Sequence, residues 1–237
     1  MLQNKVAVIT GASRGVGEAT ALAFARAGAK VVLAARTKQD LDSVANRIHT
    51  EGGIAHVIPT DVMRSDDVAN LIQRTLETHH QIDILVNNAG IGSFGFVADF
   101  EEAEWSTVID SNLKSVFLCS KFALPTMLER QSGQIINVLS IAAKVPFKAS
   151  SAYCAAKAGA LAFTKVLSEE IRDQNIRVTA VAPGAIHTTL WDTIEEHPDF
   201  NLMLKPEHVA ETILFVAAQP LDMVLDEIVV TPPRGIL

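Results

Sequence analysis

The stretch Ser151-Ala152-Tyr153-Cys154-Ala155-Ala156-Lys157 carries a phenol and an amine four residues apart. It is rich in alanine and free of glycine and proline until Gly159, and apolar Leu161, Ala162, Val166 and Leu167 follow, a pattern that predicts a helix. On a helix this spacing stacks the two groups on one face. A free phenol titrates near ~10, too high for efficient proton exchange at neutral pH, and a neighbouring cation draws that value down. Tyr153, the only tyrosine in the chain, is thus a candidate general acid with Lys157 as its tuner. A packed tyrosine with a solvated lysine one turn on is spelled the same way, so the pair needs support from the rest of the chain. Cys154 adjoins Tyr153, but adjacent helical residues point in different directions, which leaves it a structural role.

The elements around this pair begin with Lys5 to Thr10, a β-branched apolar run that reads as a buried strand. Thr10-Gly11-Ala12-Ser13-Arg14-Gly15-Val16-Gly17 follows, then a helical pattern to about Ala27, stopped by Gly28. A strand, three glycines and a helix start are the parts of a pyrophosphate site. Glycines let the backbone approach a ligand, and free N–H groups with the helix dipole meet its charge. The spacing is G-x-x-x-G-x-G, and a tight turn without a ligand is the alternative. Lys30 to Ala35 is the second strand; Ala34-Ala35-Arg36-Thr37 ends it, with no acid until Asp40. Arg36 and Arg14 are two cations where a ribose 2'-phosphate could lie, which favours NADP(H) over NAD(H).

A second helix runs from Lys38 to Thr50, and Ala55 to Pro59 is a third strand. Asp61 follows it, placed either to accept a bond from an adenine amino group or to cap a turn. The third helix, about Asp66 to His79, ends in His79-His80, which suits the negative helix terminus better than a metal site. Ile82 to Asn87 forms the fourth strand and enters Asn87-Asn88-Ala89-Gly90. A long helix is expected from Trp105 to about Arg130 with Asn112 in its middle, where asparagine is a poor helix former. Gln134 to Leu139 is the fifth strand, with Ser140 at its carboxyl end, and the Tyr153 helix reaches about Asp173. Ile176 to Ala182 leads to Pro183-Gly184; a helix from Pro206 to Ala218 and a strand from Glu227 to Val230 close the chain. Strands alternating with helices imply an α/β, doubly wound parallel sheet of Rossmann type with helices on both faces, in one domain spanning 1–237.

Composition bounds the partners. At 237 residues, 49% hydrophobic and 5% aromatic, the chain suits buried parallel strands under helices. A net charge of -7 with scattered Lys and Arg argues against nucleic acid. Cys119 and Cys154 form no metal or redox pattern and read as reduced thiols of a cytoplasmic protein. Nothing marks export or membrane insertion.

Taken together, Thr10-Gly-x3-Gly-x-Gly17, Asp61, Asn87-Asn-Ala-Gly90, Asn112, Ser140, Tyr153-x3-Lys157 and Pro183-Gly184 with Thr188 resemble the short-chain dehydrogenase/reductase family over essentially the whole chain. The resemblance implies a catalytic tetrad of Asn112, Ser140, Tyr153 and Lys157. It implies cofactor contacts from Gly11, Ser13, Arg14, Gly15, Val16, Gly17, Arg36, Asp61, Val62, Asn88, Ala89, Gly90, Pro183, Gly184, Ile186 and Thr188 as well as Tyr153 and Lys157, and no metal. Ser13-Arg14 resembles the loop of NADP-preferring members. The expected activity is reversible hydride transfer between a nicotinamide and a carbonyl or secondary alcohol of a small molecule. The alternatives are a non-catalytic cofactor sensor or partner-binding module, and a 3-oxoacyl thioester reductase. Glu227-Ile-Val-Val-Thr-Pro-Pro departs from the acyl-chain reductases, which close with Gly-Gly. The resemblance also implies a homodimer or homotetramer. Pocket walls are expected from Ser93 and Phe94, from Ile141 to Phe147, and from a movable lid over Thr188 to Leu204 with Trp191.

Overall fold

The computed structural model describes residues 1–191 and 199–236. Seven parallel strands form one sheet in the order β3-β2-β1-β4-β5-β6-β7: β1 Val6–Thr10, β2 Lys30–Ala35, β3 Ile54–Pro59, β4 Ile84–Asn87, β5 Gly133–Val138, β6 Ile176–Pro183 and β7 Glu227–Val230. Between them run α1 Gly15–Arg26, α2 Lys38–Thr50, α3 Ser65–His79, α4 Glu102–Ile109, α5 Ser115–Arg130, α6 Ser151–Ile171 and α7 Pro206–Ala217. Side chains alternate across the sheet, so each strand feeds two cores. Ala7, Ile9, Val31 and Leu33 pack under α1, α2 and α7 with Phe24, Leu41, Ile48 and Ile213. Val6, Val8, Val32 and Ala34 face α3, α5 and α6 with Leu71, Leu118, Met127 and Leu167. The doubly wound arrangement expected from the alternation of elements is the one observed, and the strand order reverses between β1 and β4. Such a switch point opens a crevice at the carboxyl ends of the strands.

The amino ends of the strands are closed by a charged knot. Burial would push the Asp83 carboxyl up, but bonds from the Val6 N–H at 2.8 Å and from Arg130 at 3.1 Å, with the charge of Lys5, hold it below the usual carboxylate range. Among the described residues, no helix is long and apolar enough to cross a membrane.

Two local expectations change. The long helix around Asn112 runs without interruption from α4 into α5 but widens to a π-turn over Asp110–Lys114. Beside that turn the Val108 carbonyl accepts from the Asn112 side chain at 2.9 Å and from the Ser111 hydroxyl at 3.2 Å. At the end of α3, His79 does not serve the helix dipole with a charge. Its ring packs edge-on against His56 at 4.6 Å, and burial, with the charges of His56, Lys30 and His80, pushes its pKa down. His80 takes the left-handed conformation that ends the helix.

The shift on His79 has a consequence for stability. In the unfolded chain this ring takes up a proton near its ordinary 6.5, while the folded state resists it to lower pH. The unfolded state therefore binds more protons in that interval, and stability falls as pH drops below about 6.5. His79→Gln is expected to flatten this loss in urea melts taken between pH 5 and 7, roughly the histidine range. An unchanged slope would show that other groups cause it.

Candidate active site

The cleft at the switch point has a volume of about 540 Å³, in the ~300–1,000 Å³ range of ligand pockets. Its floor at one end is the loop from β1 into α1. Thr10 anchors it: the buried hydroxyl donates to Val86 O at 3.3 Å and accepts from the N–H groups of Asn88 and Ala89 at 3.0 and 3.1 Å. Asn88 returns its amide to Thr10 O and Gly11 O at 3.0 and 3.3 Å. Gly11 sits at φ +67 with Ala89 Cα 2.9 Å from where a Cβ would be, so only glycine fits. At Gly17 a Cβ would lie 2.1 Å from Gly11 O, which is how closely α1 approaches the loop. Beside Gly15 the space is open, with Thr188 Cγ2 the nearest atom at 3.5 Å.

These features fit the diphosphate of a dinucleotide. No side chain among the described residues caps the first turn of α1, so its N–H groups are free for an anion. Arg14 and Arg36 line the cleft, are exposed, and pair with no acid among the described residues. Asp61 lines the same end; one of its oxygens accepts from Met63 N at 3.0 Å, the turn role read as one of its two options, and the other oxygen is left for a ligand.

At the far end of the cleft α6 presents Tyr153 and Lys157. Lys157 is 5% exposed; its Nζ donates to Val138 O at 3.2 Å and lies 5.6 Å from the Tyr153 ring centroid. Burial pushes the Lys157 ammonium down to about 8. The expected downward pull of Lys157 on Tyr153 does not dominate. Burial holds the Tyr153 phenol above its ordinary value, and a hydrogen bond with the Ser140 hydroxyl acts in the opposite sense. Sequence reasoning counted the lysine charge and could not count the desolvation of both partners. Ser140 lies two residues past β5 and caps the following turn, accepting from Ala142 N at 3.1 Å.

Asn112 comes from the π-turn and is fully buried. Its Nδ2 donates to Ile91 O at 2.8 Å as well as to Val108 O, while Oδ1 has no partner among the described residues. That oxygen would lie 2.4 Å from a Cβ on Gly90, and the same Cβ would be 3.6 Å from Lys157 Nζ. A buried acceptor without a partner, beside a buried amine, is the signature of a bound water or ligand hydroxyl.

Most residues expected at the cofactor site stand on the cleft wall: Gly11, Ser13, Arg14, Gly15, Val16, Arg36, Asp61, Val62, Asn88, Ala89, Gly90, Pro183, Ile186 and Thr188. Gly17 and Gly184 do not. Gly17 packs on Gly11, and Gly184 packs under Thr231 and Pro232, so both shape the cleft from behind. Ser140 also stands back from the wall and is joined to it through Tyr153. Sequence reasoning missed Ile91, Gly92 and Thr107 on the wall, because no motif marks them, while Leu190 belongs to the segment Thr188 to Leu204 expected there. Of the expected lid, 192–198 lies outside the described residues. Its two ends are tied by Leu204 N to Ala185 O and His187 N to Leu204 O, both at 2.9 Å, and by His187 stacked on Phe200 at 4.3 Å.

Comparison with known proteins bears on the family and the fold. The model of the short chain dehydrogenase family matches residues 5–199. An uncharacterized oxidoreductase of Staphylococcus aureus strain MRSA252 is 38% identical over 232 residues, 98% of this chain and 99% of that one. A 3-oxoacyl-acyl-carrier-protein reductase of Synechocystis sp. is 40% identical over 225 residues, 92% of this chain and 91% of that one. Among solved structures, a metagenomic short-chain oxidoreductase in complex with NADP superposes with a TM-score of 0.87 at 35% identity, covering 98% of both chains.

Proposed function

The chain is an oxidoreductase that belongs to the short-chain dehydrogenase family, and on that footing we propose that it uses NADP(H) to interconvert a small carbonyl compound and its alcohol, with Tyr153 as general acid and base. The observation that carries this reading is one continuous cleft that joins the glycine loop and Arg36 to Tyr153 and Lys157. When bound, the nicotinamide dinucleotide supplies or accepts hydride. Gly11 to Val16 and Arg14 would hold its diphosphate, Arg36 and Arg14 a 2'-phosphate, Asp61 and Val62 its adenine, and Ile186 and Thr188 its nicotinamide end. Tyr153 gives a proton to the carbonyl oxygen as negative charge develops there, and Ser140 orients that oxygen by a hydrogen bond. Lys157 holds ribose hydroxyls with its buried ammonium, and the free Oδ1 of Asn112 anchors the water that returns a proton toward Lys157.

Oxidation of NADPH followed with a panel of ketones, aldehydes and a 3-oxoacyl thioester tests the reading. A sensor or partner-binding module would bind NADPH and turn over none of them. The thioester belongs in the panel because of the Synechocystis relative. Cofactor choice has its own test. Arg36→Leu is expected to raise KM for NADPH by about tenfold or more, the worth of one charge-assisted bond, and to leave KM for NADH nearly unchanged. Equal changes for both cofactors would remove Arg36 from the 2'-phosphate. We propose further that 1–237 works as one domain, in the cytoplasm with both thiols reduced, as a homodimer or homotetramer. Exposed Phe117, Leu128 and Val166 on α5 and α6 support the oligomer.

A further inference from the structure

The last strand opens with an acid that no motif explains. Glu227 begins β7, where it stands opposite Ala180 of β6, and its side chain is 19% exposed. Each oxygen of the carboxylate has its own cation. Oε1 accepts from Lys144 Nζ, and Oε2 lies 3.6 Å from Lys165 Nζ. The Lys144 bond, against some burial and with the charge of both lysines, holds the carboxyl below its usual range, so it is ionised at neutral pH.

The two lysines belong to the two elements whose hydroxyls meet beside the cleft. Lys144 closes the turn after Ser140: Ala143 N donates to Ser140 O at 3.0 Å, and Lys144 N and Val145 N donate to Ile141 O at 2.9 and 3.0 Å. With the bond from Ala142 N to Ser140 Oγ, the chain from Ser140 to Val145 is tied into one unit. Lys165 lies on α6, the helix that carries Tyr153. Ser140 is hydrogen-bonded to Tyr153, so any slide of the turn along α6 changes that contact. Apolar packing between turn and helix is slight. Leu139, Ala160, Leu161 and Ala180, with Leu113 and Ala143 beside them, form a small cluster rich in methyl side chains. Burial of this kind is non-directional and resists separation more than sliding. A carboxylate that bonds the turn with one oxygen and faces the helix with the other supplies the missing direction.

We infer that Glu227 is a positioning residue for the reaction: through Lys144 and Lys165 it locks the Ser140 turn against α6 and so fixes where the Ser140 hydroxyl stands relative to that of Tyr153. This rests on the reductase reading above. Glu227 is not among the residues that line the cleft, and it acts through Ser140, which orients the carbonyl oxygen. A shift of about 1 Å at a reacting centre lowers turnover by up to roughly a hundredfold, whereas a partly exposed ion pair adds little to stability. The signature is therefore a turnover defect in a protein that melts normally.

Glu227→Gln, which keeps the shape and removes the charge, is expected to lower kcat by about tenfold or more, with KM for NADPH within about twofold and the thermal midpoint within about 4 °C. Lys144→Met is expected to match it and Lys144→Arg to keep kcat within about threefold of wild type; the double variant of Glu227→Gln with Lys144→Met is no worse than either single, because the two groups form one link. On a Ser140→Ala background, Glu227→Gln is expected to change kcat by less than about twofold. A Glu227→Gln enzyme with wild-type kcat, or a loss that persists unchanged on the Ser140→Ala background, would overturn the positioning role and leave the reductase reading standing. Where Ser140→Ala turns over too slowly to measure, Lys144 decides: arginine as poor as methionine there would overturn the link. An enzyme that binds NADPH but oxidises it with none of the carbonyl panel would overturn the reductase reading itself, and the role of Glu227 with it.

Discussion

Tyr153→Phe is expected to lower kcat by about a thousandfold while the dissociation constant for NADPH stays within about twofold, since a positioned general acid contributes roughly 100- to 10,000-fold. The substitution keeps the ring, so the tilted contact with Phe94 at 6.0 Å and the approach of Lys157 at 5.6 Å survive. Only the hydroxyl goes. That hydroxyl is suited to giving a proton at neutral pH, because burial keeps the phenol above its ordinary value and therefore protonated, with Ser140 bonded to it. As negative charge grows on the substrate oxygen, no other side chain among the described residues of the cleft takes its place. Ser140 is a far weaker acid, and Lys157 is turned to Val138 O at 3.2 Å. Steady-state rates together with NADPH fluorescence separate the two effects. A residual kcat within tenfold of wild type would remove Tyr153 from proton transfer.

Gly17→Ala is expected to abolish cofactor binding and to destabilise the protein by about 3 kcal/mol, the upper part of the usual range for overpacking. The added Cβ would stand 2.1 Å from Gly11 O, 2.7 Å from Gly11 C and 2.6 Å from Asn88 Nδ2. Two of those atoms are backbone and cannot swing aside. Either α1 retreats from the loop or Gly11 leaves its φ of +67, and both break the bonds by which Asn88 holds Thr10 O and Gly11 O. For a chain of this size the change corresponds to a fall in Tm of roughly 6–12 °C. Calorimetry with and without NADP measures both parts: the midpoint drops, and the shift produced by the cofactor disappears. Gly15→Ala makes a useful contrast. Its Cβ would meet Thr188 only at 3.5 Å, so it tests the strain of a positive φ without a collision. A Gly17→Ala protein that melts like wild type would mean that α1 can shift freely, contrary to the packing described.

Much of this architecture is legible in local spelling. The run Lys5 to Thr10, the glycines at 11, 15 and 17 and the helix after them predict a strand, a turn and a helix start, and β1, its loop and α1 are so arranged. Tyr153 and Lys157 lie on one helix because a spacing of four residues in an alanine-rich segment leaves few other choices. The π-turn at Asn112 is harder to read. Asparagine in mid-helix signals something irregular, but whether it turns outward or takes a carbonyl from its own backbone depends on what is packed around it, here Ile91 O and Val108 O. Gly17 and Gly184 show the same limit: spelling marks them as needing no side chain, not which neighbour excludes one.

The order of elements, the parallel sheet and the identity of the chemically able side chains follow from residue type and period, since these depend on neighbours a few positions away. The direction of the Tyr153 shift and the value of about 8 for Lys157 follow from folding alone. Desolvation depends on how deeply a group is covered by residues far away along the chain, and that depth is not written in the spacing of motifs.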